Sequence, residues 1–259
     1  MLHLDLRHRI PPLLEALSNL ALYNRTPVKN LFQKRCSYHS WTILEKNTNQ
    51  DLDWLPFLPG DAIGGKEAHY CFQGYITAPA QSEGKHTVCL VSTGATDIWN
   101  NNNPQFLAYI NHKLSCGLDV NHTEFDLSNN TQTNQRWLIG LYAYCNTSLQ
   151  DVFLKVETAI RDDEITALYY DLKAPFEVMI LLDKNDLNAI EIGRHLSNAI
   201  NLIDMRSPYS KSFYKSVTAA REYLQNEFYN KSCHEQLVTV SCVGHTHIEI
   251  AWLWTLNQT

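Results

Sequence analysis

Seven short runs rich in β-branched and aromatic residues follow one another between residues 69 and 172, and this succession constrains the fold more than any other feature. They are Tyr70–Thr77, Thr87–Ser92, Gln105–Asn111, Thr123–Leu127, Arg136–Cys145, Val152–Ala159 and Ile165–Asp171, with turn-forming residues between them. Val152, Leu154 and Val156 alternate with Phe153, Lys155 and Glu157, the period of a strand with two distinct faces. Strands without intervening helices bury their apolar faces by stacking sheet on sheet, so a β-sandwich is expected.

The flanks follow a different period. Leu13, Leu17 and Leu20 lie at helical spacing behind Pro11-Pro12, which suits a helix start, and Met1 to Leu22 reads as an amphipathic helix. Ile192, Leu196, Ala199 and Ile203 make one apolar stripe. Phe213, Val217, Ala220, Leu224 and Phe228 make a second, and Arg206-Ser207-Pro208 separates the two. Phe176–Leu182 is an apolar run that periodicity cannot assign, and Asp162-Asp163-Glu164 reads as a solvated hairpin turn.

Composition decides whether such elements can bury a core. Of 259 residues, 44% are hydrophobic and 19% charged, enough for a sizeable core and unlike a disordered chain. The net charge of −6 comes without a basic stripe, which disfavours a nucleic-acid partner. No apolar run reaches the roughly 18 residues of a membrane helix. The N-terminus has scattered charges and no cleavage site of small residues, so it is not read as a signal peptide and a cytoplasmic location is expected. The seven cysteines, at 36, 71, 89, 116, 145, 233 and 242, form no Cys-x-x-Cys knuckle and are expected as free thiols in a reducing compartment. The Asn-x-Ser/Thr sequons are then idle.

The chemistry concentrates after residue 236. Leu237–Val243 is a continuous apolar run with little alternation, as in a parallel strand buried on both faces. It ends at Gly244, and functional groups in parallel α/β folds cluster at the carboxyl ends of strands. His245, His247 and Glu249 follow at i, i+2 and i+4, which places all three on one face of an extended segment. Two imidazoles and a carboxylate suit zinc. Ile248, Ile250 and Ala251 would supply a dry surround, and the flat indoles of Trp252 and Trp254 suit stacking on sugar rings. Spacing alone leaves a second reading open, a strand end with satisfied histidines and core tryptophans.

The segment from Val243 through His245-Thr246-His247-Ile248-Glu249 to Trp252-Leu253-Trp254 resembles the first active-site motif of glycoside hydrolase family 38, His-x-His-x-Asp followed by an apolar pair and Trp. Upstream, His69-Tyr70-Cys71-Phe72, Thr77-Ala78-Pro79, Gly117 to Glu124 and Asn201 to Arg206 resemble the N-terminal region of its cytosolic, vacuolar-type and bacterial branch, so the resemblance runs along essentially the whole chain. It implies a retaining α-mannosidase with one zinc ion, whose ligands would include His247 and Glu249. Trp252 would pack beneath the bound mannose, and His245 would lie beside the substrate. The other zinc ligands and the nucleophile are implied on later strands of the barrel, so no catalytic nucleophile is expected within this chain. Glu249 departs from the family's Asp. Its extra methylene moves the carboxylate by roughly 1.5 Å, against the roughly 0.5 Å that catalytic groups tolerate.

The fold class expected is α+β: an N-terminal helical and irregular segment over 1–66, a β-sandwich domain over 67–173, a helical connector over 174–235 and, from 236 to 259, the first strand of an incomplete (β/α) barrel. The implied cofactor is Zn²⁺ and the implied partner an α-mannoside oligosaccharide; no nucleic acid or membrane is expected, and a homo-oligomer is left open. Two other functions compete. An amidohydrolase-type metal hydrolase also carries His-x-His at a strand end, but Trp252-Leu253-Trp254 and the upstream strands oppose it. A non-catalytic carbohydrate-binding or pseudoenzyme module accommodates Glu249. Asp119, His122 and Glu124 are read as structural, not as a second metal site. His69, His86, His112 and His234, lacking acidic or His partners at useful spacing, are read as surface or turn residues. Trp41, Trp54, Trp99 and Trp137 are read as packing anchors.

Overall fold

The computed structural model describes residues 2–37, 40–46, 53–58, 61–65, 67–94, 104–145, 152–232 and 241–243. They form a mixed α and β fold with four helices of 13 to 20 residues and three sheets. The described residues divide into two compact units: one takes those before Asn24 and those from Arg161 to Val243, the other spans Asn24–Ile160. No helix among the described residues is long and apolar enough to cross a membrane.

The second unit is built on strands β1 (Leu22–Pro27), β2 (Leu31–Cys36), β3 (Leu55–Phe57), β4 (Ala62–Ile63), β5 (Ala68–Thr77), β6 (His86–Ser92), β7 (Gln105–Ile110), β8 (Lys113–Leu118), β9 (Glu124–Ser128), β10 (Arg136–Cys145), β11 (Val152–Phe153) and β12 (Lys155–Arg161). One sheet has the order β3-β2-β5-β10-β7-β8, a second β1-β12-β6-β9, and β4 pairs with β11. β10 runs antiparallel to both β5 and β7. From Ile139 onward nearly every residue of β10 is buried, because both of its faces are covered. One cluster of buried side chains draws on both large sheets, with Phe72, Ile139 and Leu141 from the first and Cys89, Val91, Phe125 and Val156 from the second. A smaller cluster of Leu44, Cys71, Tyr109 and Tyr142, flanked by Trp41 and Trp54, gathers on the other face of the six-stranded sheet.

The first unit holds α1 (Leu2–Ala21), α2 (Asp163–Leu181), α3 (Leu187–Leu202) and α4 (Lys211–Tyr223), and α4 continues into a π-helical turn over Leu224–Tyr229. Its core joins Leu6, Ile10 and Leu17 of α1 to Ile165, Leu168 and Leu172 of α2, Leu196 of α3 and Phe213 and Val217 of α4. Each later helix opens on a capping side chain that satisfies otherwise orphaned amides. Asp186 accepts from the amides of Asn188 and Ala189, and Ser210 from that of Phe213.

Two expectations are corrected. Ile165–Asp171 is not a strand but the first part of α2. Ile165, Leu168, Leu172, Phe176 and Met179 are buried at spacings of three and four, and Asp162, read as part of a turn, caps the helix by accepting from the amides of Glu164 and Ile165. The unassigned run Phe176–Leu182 is its last part. The helix also does not begin at Pro11-Pro12; both prolines lie inside α1. They remove the hydrogen bonds of the carbonyls at Arg7 and His8. Those residues and both prolines are exposed, whereas Leu6 and Ile10 are buried, so water reaches the freed carbonyls while packing holds the first turns. Pro175 inside α2 does the same to the carbonyl of Asp171, and there the Tyr229 hydroxyl donates in place of the missing amide, at 3.0 Å.

Candidate functional site

His245, His247, Glu249 and Trp252, on which the sequence places the chemistry, lie outside the described residues, as do 244–259 as a whole. Of the expected strand Leu237–Val243, only residues 241–243 are described. They have no strand pairing, and Val243 is 80% exposed. A strand apolar on both faces is stable only with neighbours on both sides, and the described strands provide none there.

Among the described residues, no group of three or more His, Cys, Asp or Glu is arranged to hold a metal ion. Asp119, His122 and Glu124 show why. The Asp119 carboxylate accepts from the amides of Asn121 and His122, both at 2.8 Å, and lies 2.9 Å from Nδ1 of His122. This is a self-contained Asx-type turn. Desolvation pushes the Asp119 pKa up, but the two amides and the imidazole outweigh it and hold the carboxyl below its usual range.

Two of the histidines correct the sequence reading, whereas His112 lies in the turn between β7 and β8, as expected. His86 is buried, not a surface residue, and its Nε2 lies 3.1 Å from a carboxylate oxygen of Asp126. That partner comes from β9, the strand beside β6, so local spacing gives no sign of it. His69 is half-buried, with Nδ1 2.6 Å from the Tyr142 hydroxyl and its ring against that of Tyr144. Desolvation lowers its pKa despite the nearby charge of Glu67, which favours the neutral ring. His112 donates from Nδ1 to the Leu44 carbonyl at 3.0 Å. His234 lies outside the described residues. Trp137 is buried and Trp41 and Trp54 pack on the smaller cluster of the second unit, as expected of anchors, while Trp99 lies outside the described residues.

The chemistry that the sequence missed lies where β2, β5 and β10 run side by side. Cys36 stands opposite His69, Lys34 opposite Cys71, and Cys71 opposite Tyr142. Side chains two residues apart on a strand share a face, so the two cysteines, His69 and Tyr142 are neighbours on one face. Period-two alternation within β5 places His69 and Cys71 together, but Cys36 joins them only through strand pairing. Further along, Phe32, Trp54, Gln73, Gly74, Tyr75 and Leu138 line an open cleft of about 300 Å³.

No known family model matches the chain. Over 123 residues it is 28% identical to alpha-mannosidase G of Dictyostelium discoideum, a match covering 46% of this chain and 10% of that relative. The match thus spans about a tenth of the relative's length. Among solved structures, the chain is similar to the β-glucuronidase of Faecalibacterium prausnitzii, with a TM-score of 0.35 and 10% identity over 53% of this chain and 32% of the other. It is also similar to the apo β-glucuronidase of Ruminococcus gnavus, with a TM-score of 0.38 and 7% identity over 54% of this chain and 29% of the other. Structural likenesses this low carry no argument about fold or activity.

Proposed function

We propose that this chain is the N-terminal portion of a retaining, zinc-dependent α-mannosidase that hydrolyses terminal α-mannosides of oligosaccharides. The observation that carries the reading is the 28% identity to an α-mannosidase; the segment His245 to Trp252 agrees with it. On this reading the β-rich unit is the family's sandwich-like domain, and residues 236–259 open its catalytic barrel.

His247 and Glu249 would hold the zinc; an imidazole and a carboxylate are a donor set chemically suited to that ion. When bound, zinc supplies Lewis-acid polarisation and a template for sugar hydroxyls. Trp252 would offer a flat apolar face for the mannose ring, and His245 would lie beside the substrate. Retention requires two carboxyl groups about 5 Å apart, one as nucleophile and one as acid/base. The reading assigns both, with the remaining zinc ligands, to sequence that follows the motif, so these 259 residues alone are inactive. The enzyme works in the cytoplasm.

The test uses the complete gene product. It is expected to hydrolyse an aryl α-mannoside, to lose zinc on His247→Ala, and to gain activity and zinc affinity on Glu249→Asp. Full hydrolysis by the isolated 259 residues would overturn the assignment of the nucleophile. Absence of α-mannoside hydrolysis in the complete protein, with either Glu or Asp at 249, would overturn the activity. Equal loss of zinc from His245→Ala and His247→Ala would favour the amidohydrolase-type site instead.

A further inference from the structure

Cys36 and Cys71 are diagonal neighbours on β2 and β5, with their Sγ atoms 3.5 Å apart. A disulfide needs about 2.05 Å, so an approach of roughly 1.5 Å, on the scale of a side-chain adjustment, would join them. The two thiols differ. Cys71 is buried, with its Sγ 3.7 Å from the Ser40 carbonyl oxygen; Cys36 is half-buried. Such an arrangement offers one thiol to the solution and keeps its partner behind it.

We propose that Cys36 and Cys71 form a reversible thiol–disulfide couple. In it, Cys36 is the entry point for a low-molecular-weight disulfide of the glutathione type, and Cys71 resolves the mixed disulfide. The Cys36 thiolate attacks one sulfur of the external disulfide, making a new S–S bond and expelling one thiolate, which takes up the proton Cys36 has lost. Cys71 then attacks Sγ of Cys36 and gives its proton to the second leaving thiolate. The protein loses two electrons as two thiols become one disulfide, and the external disulfide becomes two thiols.

The electrostatics agree with this division of labour. Acceptance of a hydrogen bond from Cys71 lowers the pKa of Cys36; burial opposes this, and Ser40 and the charge of Lys34 add to the lowering. Thiolates attack and thiols do not. Cys71 is held protonated chiefly by its bond to Cys36, and then by burial. Capture of Cys36 as a mixed disulfide removes the first of these restraints at the moment when Cys71 must react. Oxidation also removes the Cys71 proton that can reach the Ser40 carbonyl, at the start of the 3-10 turn Ser40–Ile43. Cys36 is only half-buried, so an external thiol can reach the bridge and reopen it.

The chain is equilibrated in buffers of graded glutathione-to-glutathione-disulfide ratio, quenched by acid and N-ethylmaleimide, and mapped by peptide mass spectrometry. The expected result is a Cys36–Cys71 cross-link reversed by dithiothreitol and, before oxidation, alkylation of Cys36 about tenfold faster than Cys71. Cys71→Ser should stop at a glutathione adduct on Cys36, and Cys36→Ser should leave Cys71 unmodified. Circular dichroism checks that both variants fold; if Cys71→Ser does not, the wild-type cross-link and Cys36→Ser decide. The proposal is overturned if Cys36 and Cys71 both stay alkylatable where the exposed Cys242 takes up glutathione, or if Cys36 bridges to another cysteine.

Discussion

Replacing Asp162 with alanine removes two attachments from one carboxylate. Oδ1 accepts from the amides of Glu164 and Ile165 at 3.1 and 3.0 Å, capping α2. Oδ2 accepts from the Tyr214 hydroxyl at 2.6 Å, tying that cap to α4. Loss of an N-cap costs about 1 kcal/mol. A hydrogen bond to a charged group contributes about 1.5–3 kcal/mol, and the part-exposed setting here calls for the lower end, about 1.5 kcal/mol. The sum is about 2.5 kcal/mol, or roughly 5–10 °C in Tm for a chain of this size. Asp162→Asn keeps an N-cap of similar quality and a neutral acceptor for Tyr214, so it should cost about 1 kcal/mol or less. Tyr214→Phe should cost about 1.5 kcal/mol, and in that background Asp162→Ala should cost only the cap, about 1 kcal/mol. Urea unfolding followed by circular dichroism at 222 nm, with unchanged m-values, measures all four. Equal losses for Asp162→Ala and Asp162→Asn, or strict additivity of Asp162→Ala with Tyr214→Phe, would refute the two-attachment account. The pair also has a pH signature. Burial first, then the bond to Asp162, raises the Tyr214 pKa. Its contribution is therefore complete below the unfolded value of about 10 and is lost as pH rises through the folded value. Tyr214→Phe should flatten the alkaline fall in stability.

Two further outcomes are expected. The Asp204 carboxyl, held down to about 2 by hydrogen bonds from the Arg206 side chain and backbone, contributes stability above about pH 4 that is lost as pH falls toward that value; a carboxyl resonance titrating near 4 would contradict it. A β-carbon on Gly74 would lie 2.4 Å from the Asn30 carbonyl oxygen, a backbone atom that cannot rotate away. Gly74→Ala should therefore cost about 1–3 kcal/mol, whereas the open surroundings of Gly84 leave only the strain of its positive φ; an unchanged Tm for Gly74→Ala would show that β2 can shift.

Where side-chain pattern and burial coincide, the elements were legible. Arg136–Cys145 was read as a strand with its observed limits, because a central strand concentrates β-branched and aromatic residues. The stripe from Ile192 to Ile203 became α3, with Ile203 as its C-cap. Strands whose residues read as polar were missed. Leu31-Phe32-Gln33-Lys34-Arg35-Cys36 looks irregular, yet pairing with β3 and β5 makes it a strand. Ile165 and Thr166 misled in the other direction: β-branching argued for a strand, while the cap at Asp162 and burial every three or four residues decided for a helix. The residues read as the site, His245, His247, Glu249 and Trp252, were legible only as a motif, and its ligand geometry lies outside the described residues. The Cys36–Cys71 neighbourhood was invisible for a different reason, since strand register, which sequence spacing does not give, brings the two together.

The helical core has consequences for the order of events on the ribosome. Leu6, Ile10 and Leu17 are buried against residues of α2, α3 and α4, yet about 140 residues, Asn24–Ile160, are made between them. At roughly 5–20 residues per second, α1 waits roughly 7–30 s for its first partner, with an apolar stripe and two interior prolines against its standing alone as a helix. All of the described strands of the β-rich unit are synthesised before α2. α1 is thus synthesised before every helix it packs against, and its stripe is a ready surface for a chaperone until α2 emerges.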